Sequence, residues 1–115
     1  MEQERQWKGV PPESTVEWQR IFSECTDGID VDGLCPVCHS PTLHHWFDKP
    51  RPFAAGHERD GFRGHGGLWE WCSSCHSYEH YSGLVPAWWQ DLFILDGTSL
   101  RHDPDAIETA RLEFT

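Results

Sequence analysis

In "ESTVEWQRIFSEC", Trp18, Ile21, Phe22 and Cys25 recur three or four positions apart and so share one face of a helix. Pro11 and Pro12 favour an extended approach, Ser14 followed by Glu17 fits a capping box, and Thr26, Asp27 and Gly28 end the run. The spacing predicts a helix from about Thr15 to Cys25, with Cys25 acting as a small buried apolar residue. From Ile29 the pattern shortens. Apolar pieces flank "CPVC" (Cys35 to Cys38) and return around "CSSC" (Cys72 to Cys75), the one internal near-repeat. Leu43, Trp46 and Phe47 in the first copy, and Trp69, Trp71, Tyr78 and Tyr81 in the second, are strand formers. Trp69 and Trp71 alternate with Glu70, and Tyr78 and His80 with Glu79, so these strands should each have two distinct faces.

Between the copies, "DKPRPFAAGHERDGFRGHGG" (48–67) is rich in Gly and Pro, has no periodicity and reads as one long loop. After the second copy, Pro86 is placed to open a short helix through about Phe93. Asp103 with Pro104 forms a cap and first turn for a final helix near Pro104 to Glu113, with Asp105 and Glu108 at its positive end. The pattern predicts an α+β fold in a single domain, 1–115: a small antiparallel sheet, an N-terminal helix and one or two C-terminal helices.

Charge and length then narrow the chemistry. The chain has 115 residues and a formal net charge of −10 from 19 acidic and 9 basic side chains. A core of that size gains from a staple such as a metal or a disulfide. The charge disfavours a protein that tracks nucleic-acid phosphates with Lys and Arg, and favours solubility or a basic partner. The 48–67 loop is the locally basic part, with Lys49, Arg51, Arg59 and Arg63 against Asp48, Glu58 and Asp60. "MEQERQWKGVPPES" has no apolar run of the secretory type, and the most apolar later stretch, Leu84 to Leu95, is broken by Pro86, Gln90 and Asp91. These features point to a soluble cytoplasmic protein, in which cysteines are reduced thiols or metal ligands.

The two cysteine pairs admit three chemistries. Cys35, Cys38 and His39, like Cys72, Cys75 and His76, spell C-x-x-C-H, the attachment pattern of a c-type haem. The N-terminal segment, the lack of any methionine after Met1 and the small amount of protein available to enclose two haems argue against it. A redox dithiol needs its pair at a helix start in a βαβ setting, and neither pair has one. A structural zinc site uses all four cysteines at once, because two C-x-x-C turns aim four thiolates at one Zn2+. The ligand set is therefore Cys35, Cys38, Cys72 and Cys75. "CPVC" together with "WEWCSSC", an aromatic strand entering the second turn, resembles the zinc ribbon superfamily over roughly Leu34 to Tyr81. That resemblance implies support for a fold and no particular function. Zinc ribbons commonly carry Gly after the second cysteine of each turn, where this chain has His39 and His76.

Four thiolates leave zinc no open position for an activated water, which argues against catalysis at the metal. The H-x-E pattern of zinc deaminases and H-E-x-x-H are both absent. For His44, His45, His57, His65 and His80 the sequence alone offers no second group at the fixed geometry that acid and base chemistry requires, so a His-dependent hydrolase is a minor alternative. The preferred reading is a non-catalytic, acidic, zinc-stapled binding protein for a basic partner, for instance an immunity protein or antitoxin masking a basic nuclease toxin. The likeness to small acidic bacterial inhibitors is one of size and charge alone. Glu70, Glu79, Trp88, Trp89 and Asp91 are the expected partner surface, with at most one of the adjacent tryptophans deep in the core. The rival is a nucleic-acid-associated ribbon using 49–63, with Phe53 and Phe62 as stacking groups.

Overall fold

A computed structural model describes residues 6–24, 29–48, 51–87, 89, 95, 98 and 100–114. Over these residues the chain forms strand β1 (Lys8–Gly9), a 3-10 turn (Pro12–Ser14), helix α1 (Thr15–Ser23), β2 (Asp30–Val31), β3 (Leu43–Phe47), β4 (Phe62–Cys72), β5 (Ser77–Pro86) and helix α2 (Asp105–Phe114). The strands make one sheet in the order β1-β5-β4-β3-β2. β1 lies parallel to β5 and every other pairing is antiparallel, so the sheet is mixed rather than purely antiparallel. The α+β class stands. The departure comes from β1, a two-residue strand that arrives from outside the cysteine repeat and ends at Gly9, shortly before Pro11 and Pro12, which have no N–H to continue a ladder.

The start of α1 differs from the capping box. The 3-10 turn runs straight into the helix, so Ser14 itself has helical angles (φ −104°, ψ −6°) and its side chain caps nothing. An N-cap needs extended geometry, and here Pro11 has it (φ −59°, ψ 144°), with Pro12 as the first turning residue. Glu17 instead receives Arg20 in an ion pair on the exposed face. The helix ends at Ser23; Cys25 lies outside the described residues. For α2 the reading holds: Asp103 Oδ1 accepts the Asp105 amide at 3.2 Å, and the first helical bond runs from Glu108 N–H to Pro104 O at 2.8 Å.

Two expected segments change. Phe62–Gly67 is the first half of β4, pairing with Ser82–Pro86, so the loop is shorter than 48–67. Backbone closeness, not apolar alternation, makes that strand. Arg51 and His65 exchange both backbone hydrogen bonds (2.7 and 3.0 Å), and a Cβ at Gly64 would stand 2.1 Å from Arg51 O. Pro86 closes β5 instead of opening a helix, and residues 88 and 90–94 lie outside the description.

The sheet is covered on both faces, which is why Trp69, Glu70 and Trp71 are all buried. Leu43, Phe47, Leu68 and Cys72 pack with Trp18, Ile21 and Phe22 of α1 and with Trp89. On the other face Trp46, Trp69 and Trp71 pack with Ile107 of α2. An indole–carboxylate hydrogen bond accompanies each docking. Trp18 Nε1 of α1 donates to Glu70 on the sheet at 3.2 Å, and Trp71 Nε1 of the sheet donates to Glu108 of α2 at 3.1 Å. Trp7 Nε1, beside β1, donates to Asp105 at 3.1 Å and ties the N-terminal segment to α2.

Candidate metal centre

The first cysteine turn sits between β2 and β3, and the second is the tip of the β4–β5 hairpin. Antiparallel pairing of Leu43 with Cys72 brings the two tips together, so the 33 intervening residues between Cys38 and Cys72 add little to assembly once β3 and β4 pair. Each turn closes in the same way. His39 N–H donates to Cys35 O at 2.7 Å and His76 N–H to Cys72 O at 3.0 Å. His39 and His76 adopt φ 63° and 62°, the left-handed conformation that Gly takes most easily. His39 and His76 therefore take a turn shape that suits Gly, at a strain of about 1–2 kcal/mol each.

The four cysteine sulfurs all lie within 4.8 Å of one another. Cys35 Sγ is 3.8 Å from Cys75 Sγ, and Cys38 Sγ is 3.6 Å from Cys72 Sγ. A tetrahedron with metal–sulfur bonds of ~2.3 Å has edges of ~3.8 Å, so these separations suit one tetrahedral ion. They are far beyond the ~2.05 Å of a disulfide, and all four thiols are free. Val37 N–H points at Cys35 Sγ (3.4 Å), Thr42 Oγ1 lies 3.2 Å from Cys72 Sγ, and Ser77 Oγ lies 3.3 Å from Cys75 Sγ. The Val37 amide and the Thr42 hydroxyl can stabilise thiolates and orient them on a metal, whereas the Ser77 hydroxyl accepts from the Cys75 thiol and can turn to donate once that proton leaves.

The protonation energetics agree with a cation. Burial pushes the Cys35 thiol up to about 12 and also raises Cys72. Burial acts upward on Cys38 too, but hydrogen bonds from the Ser40 hydroxyl and amide outweigh it and bring it down to about 7. Cys38 is thus the easier thiolate, and Cys35 and Cys72 hold their protons unless a metal ion displaces them. The set Cys35, Cys38, Cys72 and Cys75 can bind a metal ion, and its four sulfurs complete a tetrahedral shell. It is the only group of three or more such ligands among the described residues.

The expected partner residues fare differently. Glu70 is 1% exposed, in the core rather than on a surface, because its strand is sandwiched between α1 and α2. Its carboxylate accepts Trp18 Nε1 and the Tyr81 hydroxyl (2.8 Å). Burial raises its pKa to about 7 against the opposing effect of those two donors. Trp89 is buried beside His45 (ring centroids 4.4 Å) and Phe47, whereas Trp88 and Asp91 lie outside the described residues. Glu79 is half-buried next to Gln19, with its pKa raised by burial.

The histidines sort into settings that spacing did not reveal. His44 is buried and bridges Asp30 Oδ1 (2.8 Å) and Ser73 Oγ (3.0 Å). His80 stacks on Trp69 at 4.0 Å, beside His102, whose Nδ1 is 3.1 Å from the Tyr78 hydroxyl. His57 and His65 line a surface cavity of about 550 Å³ with Phe53, Glu58 and Arg59. Arg63 is turned inward, over the Phe47 ring at 5.3 Å and donating to Trp89 O at 3.2 Å. The cue for His44 and Glu70 was strand register, which places each beneath a helix and is not written in local alternation. No helix among the described residues is long and apolar enough to cross a membrane. Comparison of the chain with protein-family models, with curated proteins and with solved structures found no match.

Proposed function

We propose that the chain is a non-catalytic binding protein of zinc ribbon type, in which one Zn2+ staples the two cysteine turns and the acidic surface engages a basic protein. An immunity protein or antitoxin that masks a basic nuclease toxin is a concrete instance. The observation that carries the reading is the closure of the metal centre: four convergent sulfurs supply a full tetrahedral shell, as in structural zinc sites, and leave no position for an activated water. The net charge of −10 supports a basic partner, with Glu13, Glu17, Asp32, Asp48, Glu58 and Asp60 among the exposed carboxylates. The nucleic-acid reading is weakened by Arg63, one of its four loop cations, whose guanidinium is committed to Phe47 and to Trp89 O.

Two measurements test this. Elemental analysis of the colourless protein should give one zinc per chain, with chelation unfolding it; a red protein with a Soret band would overturn the metal assignment. A pulldown with nuclease treatment should recover basic proteins whose association slows as salt screens charge beyond about 8–10 Å. Specific recovery of nucleic acid, lost on Arg59→Ala, would overturn the partner assignment.

A further inference from the structure

β5 runs from Ser77 to Pro86, yet β1 covers it at Ser77 and Tyr78 alone. Lys8 N–H donates to His76 O at 3.0 Å, so the backbone groups of even-numbered residues face the β1 side. Strand alternation then turns the N–H and C=O of His80, Ser82 and Leu84 to the same side, while Glu79, Tyr81, Gly83 and Val85 bond to β4. Beyond Tyr78 no strand among the described residues pairs on that side. Sheet edges of this kind are usually blunted by Lys, Pro or other charges. From His80 to Val85 there is none, and Pro86, which lacks an N–H, marks where the ladder ends.

A cavity of about 460 Å³ opens where β1 stops, lined by Val10, Gln19 of α1, Tyr78 to Tyr81 along the edge and His102 on the opposite wall. We infer that the edge of β5 at His80, Ser82 and Leu84 receives an extended basic segment of a partner protein as an added strand. This rests on the basic-partner reading above and names its surface. Main-chain hydrogen bonds supply affinity in such augmentation, and alternate side chains supply selectivity. Glu79 borders the slot, and the adjoining α1 segment carries Glu13, Glu17 and Glu24, the last two shared with Arg20, so acidic groups outnumber the neighbouring cations Arg20 and Lys8. A second copy of the chain is disfavoured as the occupant by the mutual repulsion of two bodies of net charge −10.

The probe is a fluorescein-labelled decapeptide alternating Lys with Val, with a Glu-for-Lys counterpart, titrated into the full metal-loaded chain and followed by anisotropy and by amide hydrogen exchange. In the free protein the amides of His80, Ser82 and Leu84 should exchange fast while those of Tyr81, Gly83 and Val85 are protected. The Lys peptide should bind, slow the three fast amides by at least about tenfold and lose affinity with salt, and the Glu peptide should not bind. Ser82→Pro should weaken binding by about tenfold or more with metal content and near-ultraviolet dichroism unchanged. Binding that ignores Ser82→Pro and leaves the three amides unprotected overturns the edge while sparing the basic-partner reading. Binding of the Glu peptide in preference overturns both. Failure of both peptides to bind overturns the edge assignment, as does concentration-dependent protection of these amides without peptide, which would make a second copy the occupant. The exchange pattern of the wild-type chain keeps the inference falsifiable if Ser82→Pro does not fold.

Discussion

Glu70 gives the structure a pH signature that a single substitution can remove. Its carboxyl is held in the core between α1 and the sheet, with a pKa raised by burial from the ordinary 4.5 to about 7. A carboxyl whose folded pKa lies above its unfolded one binds its proton more tightly when folded. Its contribution therefore favours folding below about pH 4.5, fades as pH rises between 4.5 and 7, and is gone above that. A difference of roughly 2.5 pKa units corresponds to about 3 kcal/mol of stability lost at pH 8 relative to a neutral group. Glu70→Gln keeps the shape and one carbonyl acceptor for Trp18 Nε1, while the Tyr81 hydroxyl can turn to accept from the new amide. Urea denaturation of wild type and Glu70→Gln, both metal-loaded, should give a Gln variant ahead by less than about 1 kcal/mol at pH 5, with the gap widening by about 1–3 kcal/mol by pH 8. Taking the difference at each pH cancels the proton release of the cysteines, which both proteins share. A difference that stays constant from pH 5 to pH 8 would refute the reasoning, since it would mean that Glu70 does not titrate in this range.

His39→Gly should raise stability by about 0.5–1 kcal/mol by chemical denaturation: it relieves a left-handed His at φ 63°, partly offset by the unfolded-chain entropy of Gly. His76→Gly should gain less, because its ring packs on Trp7 at 4.9 Å; equal gains would show that this contact contributes nothing. Trp71→Phe deletes the donor to Glu108, whose carboxylate is 2% exposed and is left with Arg111; a loss of about 2–3 kcal/mol is expected, and a loss below 1 would deny the bond its docking role.

The cysteine set was fully legible in sequence because its information is local: two C-x-x-C turns, each closing on its own residues, need nothing more than a pairing that brings their tips together. The helices at Trp18 and Ile107 were legible for a similar reason, since helical spacing and an Asp-Pro cap are short-range signals. Trp69, Glu70 and Trp71 show where that kind of reading ends. Alternation predicts one apolar and one polar face, but a second helix over the other face buries both, and α2 arrives from more than thirty residues away. Phe62 to Gly67 failed in the opposite direction. Its glycines read as loop, whereas they let Arg51 cross at backbone contact distance and so extend a strand.

Tryptophan content raised the expectation of an aromatic binding face, and the fold redirects it. Four of the seven indoles, Trp7, Trp18, Trp69 and Trp71, donate inward to Asp105, Glu70, Arg101 O and Glu108. Three carboxylates of the acidic excess are consumed in the same bonds, so neither the aromatic nor the acidic count measures the surface directly. What a small domain gains is helix docking with direction: an indole N–H needs its acceptor at one place, whereas apolar packing alone tolerates sliding. With those rings turned inward, the backbone N–H and C=O of His80, Ser82 and Leu84 form a repeating array that no strand among the described residues pairs. A partner that binds there is recognised by main-chain geometry and by the charge around it, which is why the open edge, rather than tryptophan or Glu70, is where substitutions should alter binding without altering the fold.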